Sequence, residues 1–302
     1  MIYGIIDIGS NTIRLSIYRC EENEKVTRLI NKKTMAGLAS YVKNGEITKS
    51  GIKKACEVLN EYKEIIENLK IEKSFVFATA SLRNVTNTDA AVLAIKEKTG
   101  FNVDVVLGED EGIYDFIGAT KVMDVSDGIL VDIGGGSTEI VVYENKKIIK
   151  SYSIPVGSLS MYSKHVSGLL PTVEERIAIK CDVLCKLKEI DGLKPNIVAC
   201  GVGGTIRAVG KLQEIVLKEE IMRNVIKREH IKKIIKKCDN SRKIFLNKIL
   251  KVVPDRVHTV VPGLIILNSI VKFYDIKEIH ISSYGVREGY LFSKVLGGKY
   301  NE

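Results

Sequence analysis

Two stretches of this chain nearly repeat each other. Residues 5–18 read IIDIGSNTIRLSIY, and residues 130–143 read LVDIGGGSTEIVVY. In each, an apolar run reaches an aspartate, passes a glycine-bearing turn and continues as a second β-rich run ending in tyrosine. Short apolar runs on either side of a glycine turn predict an antiparallel hairpin with largely buried strands. One such hairpin is common. Two of them, more than a hundred residues apart in a chain of 302, predict two related domains, and the length itself exceeds that of a usual single domain.

Elsewhere β-rich segments alternate with helical patterns. IKKACEVLNEYKEIIENLKI (52–71) carries apolar residues at helical spacing, with Thr48 or Ser50 placed to cap its start. TDAAVLAIKEKTG (88–100) is a helix closed by Gly100. SFVFATA (74–80) and VDVVL (103–107) are short strands, and GEDEGIYDFIGATKVM (108–123) opens with acids, as helix starts often do. The second hairpin extends into a three-stranded meander, and a helix follows Pro171. NIVACGVGGTIRAVG (196–210) is a strand, a glycine turn and a helix; 226–252 and 262–276 are helical; 279–296 is a strand, a turn and a last helix. This alternation predicts an α/β protein with mixed sheets. The expected domains are 1–124 and 125–285, with a C-terminal helix 286–302 completing the first, because VMDVSDG breaks the pattern near 120–127.

A net charge of +9 and a pI near 9.1 favour anionic partners. With no Trp and only 6% aromatics, a protein that stacks nucleic-acid bases is disfavoured. Cys20, Cys56, Cys181, Cys185, Cys200 and Cys238 are scattered over apparent strands and helices, which fits reduced thiols and not the disulfide framework of a small secreted domain. The N-terminus lacks a basic region ahead of its apolar run, and no apolar run reaches the length of a membrane span, so a cytoplasmic location is expected. His165, His230, His258 and His280 show no metal-ligand spacing.

The two turns carry the chemistry. Small residues let a ligand approach the backbone, and successive N–H groups in such a turn form an anion cradle. An aspartate at the strand end is placed to hold a metal ion, directly or through water. If two like domains face each other, the turns converge on one cleft and hold neighbouring phosphates of a chain. The competing reading is a pair of tight hairpins whose glycines serve only the turn. The stretch 223–256 is strongly basic, and Arg228, Lys232 and Lys236 form a row four apart, opposite Ile231, Ile234 and Ile235. It reads either as a solvated helix face or as a track for a long polyanion.

Eight stretches together resemble the exopolyphosphatase and guanosine pentaphosphate phosphatase (Ppx/GppA) family of the actin, Hsp70 and sugar-kinase superfamily. They are DIGSNTIRL (7–15), ATASLRNVTN (78–87), GEDEG (108–112), DIGGGSTEI (132–140), PVGS (155–158), GVGGT (201–205), PGL (262–264) and GVREGYL (285–291). Their order and spacing are those of the family from end to end, and the resemblance is to its short two-domain form. It implies two similar actin-like (ribonuclease H-like) domains with an interdomain cleft.

The resemblance also implies roles. Glu111 matches the glutamate that activates the attacking water, with Glu109 as the rival from sequence alone; both could equally stabilise a helix start. Asp132 and Glu139, with Asp7 as the first-turn equivalent, match acids expected to hold Mg²⁺ or Mn²⁺. Gly9, Ser10, Asn11 and Thr12, then Gly134, Gly135, Gly136, Ser137 and Thr138, would bind phosphate oxygens. Arg83 matches a phosphate-binding arginine, and Gly203, Gly204 and Thr205 a third glycine turn facing more distal substrate. Arg287 and Glu288 match as architectural residues. Two departures stand out: Asp110 where a second Glu is usual, and Gly112 where Ala is usual, which could loosen the helix start that aims Glu111.

The implied activity is metal-dependent removal of the terminal phosphate from inorganic polyphosphate. The alternatives are hydrolysis of guanosine pentaphosphate to the tetraphosphate, a kinase of the same superfamily, and a non-catalytic sensor that binds polyphosphate or alarmone. A homodimer stays open. No membrane partner is expected, and nucleic acid is disfavoured.

Overall fold

The structure, a computed structural model, describes residues 1–21, 25–124, 126–190, 198–217 and 221–297. The chain forms two compact units, Met1–Glu111 with Leu291–Glu302, and Gly112–Tyr290.

The first unit begins β1 (Ile2–Ile8), β2 (Thr12–Cys20) and β3 (Val26–Met35), followed by the two-residue strands β4 (Val42–Lys43) and β5 (Glu46–Ile47). Helix α1 (Lys49–Asn68), β6 (Lys73–Ala78), the single turn α2 (Ala80–Arg83), α3 (Thr88–Thr99) and β7 (Val103–Val105) complete it. The sheet order is β3-β2-β1-β6-β7, antiparallel across the first three strands and parallel across β1, β6 and β7. Thr48 caps α1 by accepting from the Gly51 N–H at 3.2 Å. Gly100 ends α3 in the left-handed conformation, φ 78°, as the sequence predicts. Ile6, Ile8, Leu15, Leu59 and Tyr62 anchor the core between the sheet and α1. The sequence reading gave no strand at β3. Arg28 and Lys32 are exposed along it, so it lacks an apolar run; such charges keep an edge strand from pairing with other chains.

Helix α4 (Gly108–Thr120) leads into the second unit. There, β8 (Gly128–Ile133), β9 (Thr138–Glu144) and β10 (Lys147–Ile154) form the expected meander, followed by α5 (Ser158–His165) and α6 (Val173–Lys188). Next come β11 (Val198–Val202), α7 (Gly203–Leu217), β12 (Val225–Lys227), α8 (Arg228–Asn240), α9 (Arg242–Val252), α10 (Val260–Phe273), β13 (Glu278–Ile281) and α11 (Val286–Tyr290). The sheet order is β10-β9-β8-β11-β13-β12. Its first five strands repeat the order and directions of the first unit, and β12 adds an antiparallel edge. One face packs on α6, α7 and α10 around Ile129, Val131, Ile206, Leu264 and Ile266. The other packs on α4 through Phe116 and Ala119.

α4 meets the sheet at unusually short range. A Cβ at Gly112 would lie 2.5 Å from Ser151 Oγ and 2.9 Å from Val141 Cγ2. Gly112 is therefore the residue that lets this helix start lie against β9 and β10. Two further glycines do the same where α4 meets α11: a Cβ at Gly118 would strike the Gly285 carbonyl, and one at Gly289 the Tyr114 carbonyl. All six cysteines are free thiols, and among the described residues no helix is long and apolar enough to cross a membrane.

Candidate active site

The two near-repeats fold into equivalent hairpins. Asp7 lies opposite Arg14 across β1 and β2, and Asp132 lies opposite Glu139 across β8 and β9, the same register in both. Each turn is closed by the same bond: Gly9 N–H to Thr12 O at 3.0 Å, and Gly134 N–H to Ser137 O at 2.9 Å. These two glycines are needed for close approach, since a Cβ would fall 3.0 Å and 3.1 Å from those carbonyl oxygens.

The turn carbonyls are fixed by the surrounding fold. In the first unit, Ala39 N–H donates to Ser10 O at 2.9 Å, while Ala36 and Gly37 N–H donate to Asn11 O at 3.1 and 3.0 Å. In the second, the first N–H groups of α5 do this work: Ser158 bonds Gly134 O, and Leu159 and Ser160 bond Gly135 O, each at 2.9 Å. A trans peptide is planar, so its N–H points opposite to its carbonyl. Holding the carbonyls of residues 10, 11, 134 and 135 on the scaffold side therefore turns the N–H groups of Asn11, Thr12, Gly135 and Gly136 the other way. Such successive N–H groups form the donors of an anion-binding concavity.

Next to the first turn, Thr79 N–H and Ser81 Oγ both donate to Ile8 O, at 3.3 and 2.5 Å, which ties the SLRN segment to the end of β1. That placement sets Arg83. Its Nη1 donates to Val106 O at 3.1 Å and to Glu111 Oε2 at 2.7 Å. The pair is largely shielded, with side-chain exposures of 12% and 10%. Glu109 is exposed. Of the two glutamates the sequence leaves in competition, Glu111 is the buried one.

In the second turn, Glu139 is 1% exposed, and its Oε1 accepts from Ser137 Oγ at 2.7 Å and Ser153 Oγ at 2.8 Å. The Thr138 hydroxyl donates to Val156 O at 2.5 Å, so that side chain is engaged in the scaffold. Gly203 has φ 78°, and a Cβ there would lie 1.9 Å from Asp132 Oδ1. The Asp132 carboxylate thus rests on the first residue of α7, where a helix N-terminus favours negative charge. A Cβ at Gly204 would meet Arg256 Nη2 at 2.0 Å. Thr205 is buried and packs its methyl where Gly263 leaves room.

Two arginines join this group that the sequence reading did not assign to it. Desolvation pushes the Arg207 guanidinium below its ordinary value, with Arg287 adding to the effect and Asp132 and Glu288 opposing it. Desolvation also lowers Arg256, with Asp255 and Asp132 opposing. A guanidinium starts so high that both stay charged near neutrality. Arg207 had a signal, since it follows Gly203 by four residues on a helix and so stands over the same turn. Arg256 had none: it reaches Gly204 from a distant segment. Other cations of the basic stretch are used inside the fold. Arg228 pairs with Asp275, Lys237 donates to Val216 O, and Arg242 donates to Leu170 O and Pro171 O. Lys232, Lys233 and Lys236 remain on the exposed side of α8, opposite buried Ile231 and Ile234.

The structure thus brings Arg83 to Glu111 in the first unit, and Asp132, Glu139 and Gly203 together in the second. Asp132 and Glu139 are directly opposed strand neighbours, and like charges so placed repel unless a cation or donor lies between them. Among the described residues, no three acidic, His or Cys side chains form a closed metal cage. Asp132 and Glu139 offer only carboxylate oxygens, the donor type that suits a hard divalent cation. Asp7 differs from its counterpart, because the residue across from it is a cation, Arg14.

The repeated sheet order defines the actin-like, ribonuclease H-like α/β class. The chain belongs to the Ppx/GppA phosphatase family, whose profile matches residues 16–297. It is 29% identical over 295 residues to a bifunctional 3-dehydroquinate synthase/phosphatase of Fusobacterium nucleatum, covering 89% of this chain and 43% of that protein. It is 22% identical to exopolyphosphatase 1 of Mycobacterium bovis, covering 98% of this chain and 88% of that one. With a guanosine-5'-triphosphate,3'-diphosphate pyrophosphatase of Photobacterium profundum it shares 24% identity, over 96% of this chain and 59% of that one. The chain therefore spans only about half the length of some relatives. The crystal structure of the Aquifex aeolicus family member is similar over 99% of both chains, with 26% identity and a TM-score of 0.78. An exopolyphosphatase from Cytophaga hutchinsonii shares the fold over 98% of both chains, with a TM-score of 0.85 at 20% identity.

Proposed function

We propose that the chain is a metal-dependent exopolyphosphatase that hydrolyses the terminal phosphoanhydride bond of inorganic polyphosphate and releases orthophosphate. The observation that carries the proposal is the shielded Arg83–Glu111 pair, at 2.7 Å, in a member of a phosphatase family. In this reading the terminal phosphoryl group is held by Arg83 and by the N–H groups of the first turn. The second turn, with Arg256 behind it, offers a phosphate cradle of the same kind in its own unit.

The pair itself has a role in the reaction. Arg83 donates to Glu111 Oε2. A terminal phosphate offers the guanidinium a bidentate partner and draws it away. Glu111 then accepts the proton of a water whose oxygen attacks phosphorus, while the bridging P–O bond breaks in line and the shortened chain leaves. Asp132 and Glu139 would hold a divalent cation, which would supply charge neutralisation on phosphate oxygens; Asp7 is the equivalent acid of the first turn.

The second reading keeps this chemistry and takes guanosine pentaphosphate as substrate; the relative of Photobacterium profundum, named for such a nucleotide, supports it. The basic side of α8 favours the polyphosphate reading, since a long polyanion gains many weak contacts there. The test is phosphate release from long-chain polyphosphate and from guanosine pentaphosphate, side by side with Mg²⁺, for the wild type and Glu111→Gln. Release from polyphosphate alone, abolished in the variant, supports the first reading. Release from the nucleotide alone moves the assignment to the second. Release from neither overturns both.

A further inference from the structure

A separate cavity of about 590 Å³ opens in the second unit, at the edge where β12 adds to the sheet. Its size is within the range of small-molecule sites. One wall is a single face of α7: Arg207, Gly210, Lys211 and Glu214 are spaced three and four apart and all line it. Gly210 makes the depth, since a Cβ there would lie 2.6 Å from Ile281 Cδ1. Opposite stand Arg223 and Asn224, fixed to β13 by the Ile281 N–H donating to Asn224 O at 2.8 Å. Arg207 is fixed as well, donating to Ser282 O at 3.2 Å.

The lining is of two kinds. Arg207, Lys211 and Arg223 are cations, against one acid, Glu214. Val122, Met123 and Met222 are apolar, and Val122 and Met222 are 43% and 71% exposed at the cavity. Exposed methionine next to cations is a poor surface for water and a poor site for a bare phosphate. It suits a ligand with a flat apolar part and an anionic part, because a thioether packs well on an aromatic ring while guanidinium and ammonium groups take phosphate. We infer that this cavity is a nucleotide-binding site, for a nucleoside di- or triphosphate, apart from Glu111 and from the glycine turns of the two hairpins, with Arg207 at its border with the Asp132 group. It does not rest on the hydrolase reading, because it requires binding and no turnover.

The test is calorimetric titration of the full chain with ADP, GDP and tripolyphosphate, without divalent metal. The variants are Lys211→Glu with Arg223→Glu, Met222→Asp, and Glu111→Gln. Lys211, Arg223 and Met222 are exposed, so the folded state tolerates their replacement. A nucleotide should bind, and the double charge reversal should weaken it by about tenfold or more, the loss of charge-assisted contacts to phosphate. Met222→Asp should also weaken it, and Glu111→Gln should leave it unchanged. Three results would overturn the inference: no nucleotide binding at millimolar concentration; equal displacement by tripolyphosphate in wild type and double variant; or binding that depends on Glu111 and not on the cavity residues.

Discussion

The neighbouring glycines 203 and 204 make opposite predictions for the same substitution. Gly203→Ala meets two obstacles. The backbone holds φ 78°, a left-handed conformation that costs a side-chain-bearing residue roughly 1–2 kcal/mol. The new methyl would also lie 1.9 Å from Asp132 Oδ1 and 2.6 Å from its Cγ, on a short side chain at the end of a buried strand that cannot move aside. Forced overpacking of this kind costs about 1–3 kcal/mol. The sum is roughly 2–5 kcal/mol, and a change of that size lowers the melting temperature of a unit of this length by about 5–15 °C. In Gly204→Ala the methyl meets Arg256 Nη2, the far end of a flexible side chain, and φ is ordinary. The guanidinium can swing away, so stability should fall by less than about 1 kcal/mol, the scale of a surface change. Melting curves of both variants in one buffer, without ligand, decide the matter. If Gly203→Ala melts within a degree or two of wild type, or Gly204→Ala is the more damaging, the assignment of Asp132 to a rigid seat on α7 is wrong.

Other outcomes follow from the same contacts. Glu111→Gln should lower kcat for polyphosphate by about 10²–10⁴ with little change in KM, as loss of a general base does; steady-state phosphate release measures both. Arg83→Ala leaves the Glu111 carboxylate shielded without its cation and should cost more stability than Glu111→Gln, by about 1–3 kcal/mol in urea titration. Thiol labelling of the native protein should modify Cys181 and Cys185, which are exposed, and spare Cys200, which is buried and whose pKa is pushed up to about 12 by desolvation and by Asp115. Asp182 is held below its ordinary value first by Lys164, with His165 contributing. Its folded pKa is depressed, so its contribution is fully present above the unfolded value of about 4 and is lost as pH falls through the folded value. Asp182→Asn should therefore flatten the stability profile below about pH 5, measured by urea titration between pH 3 and 7.

Much of this was legible in the chain because it rests on local pattern. The hairpins, the Thr48 cap, the Gly100 stop and the meander are each fixed by residues a few positions apart, and the structure has them where the spacing places them. Strand β3 escaped because charged residues interrupt any apolar run, and β12 because its three residues are too few to show a period. The candidate site divides in the same way. Its turns are written as motifs, and so is the choice of GEDEG. That Arg83 meets Glu111 depends on helix phase and on the tether of SLRN to β1. The approach of Arg256 to Gly204 depends on tertiary packing and has no local trace. Gly112, which on the resemblance looked like a weakness at a helix start, proves to be a spacing residue once Ser151 is seen against it.

The carbonyls of Gly134 and Gly135 are held by α5, and α5 can come that close only because residue 157 has no side chain: a Cβ there would stand 2.3 Å from Gly135 O. The geometry of the second turn is thus set before any anion arrives, and a ligand need not meet the entropy of ordering it. It also means that a residue that bonds no ligand governs how stiff the cradle is. Any side chain at position 157 would push the helix off the loop and let the peptide planes rotate, turning a fixed receptor into a floppy one while every donor stayed in the sequence.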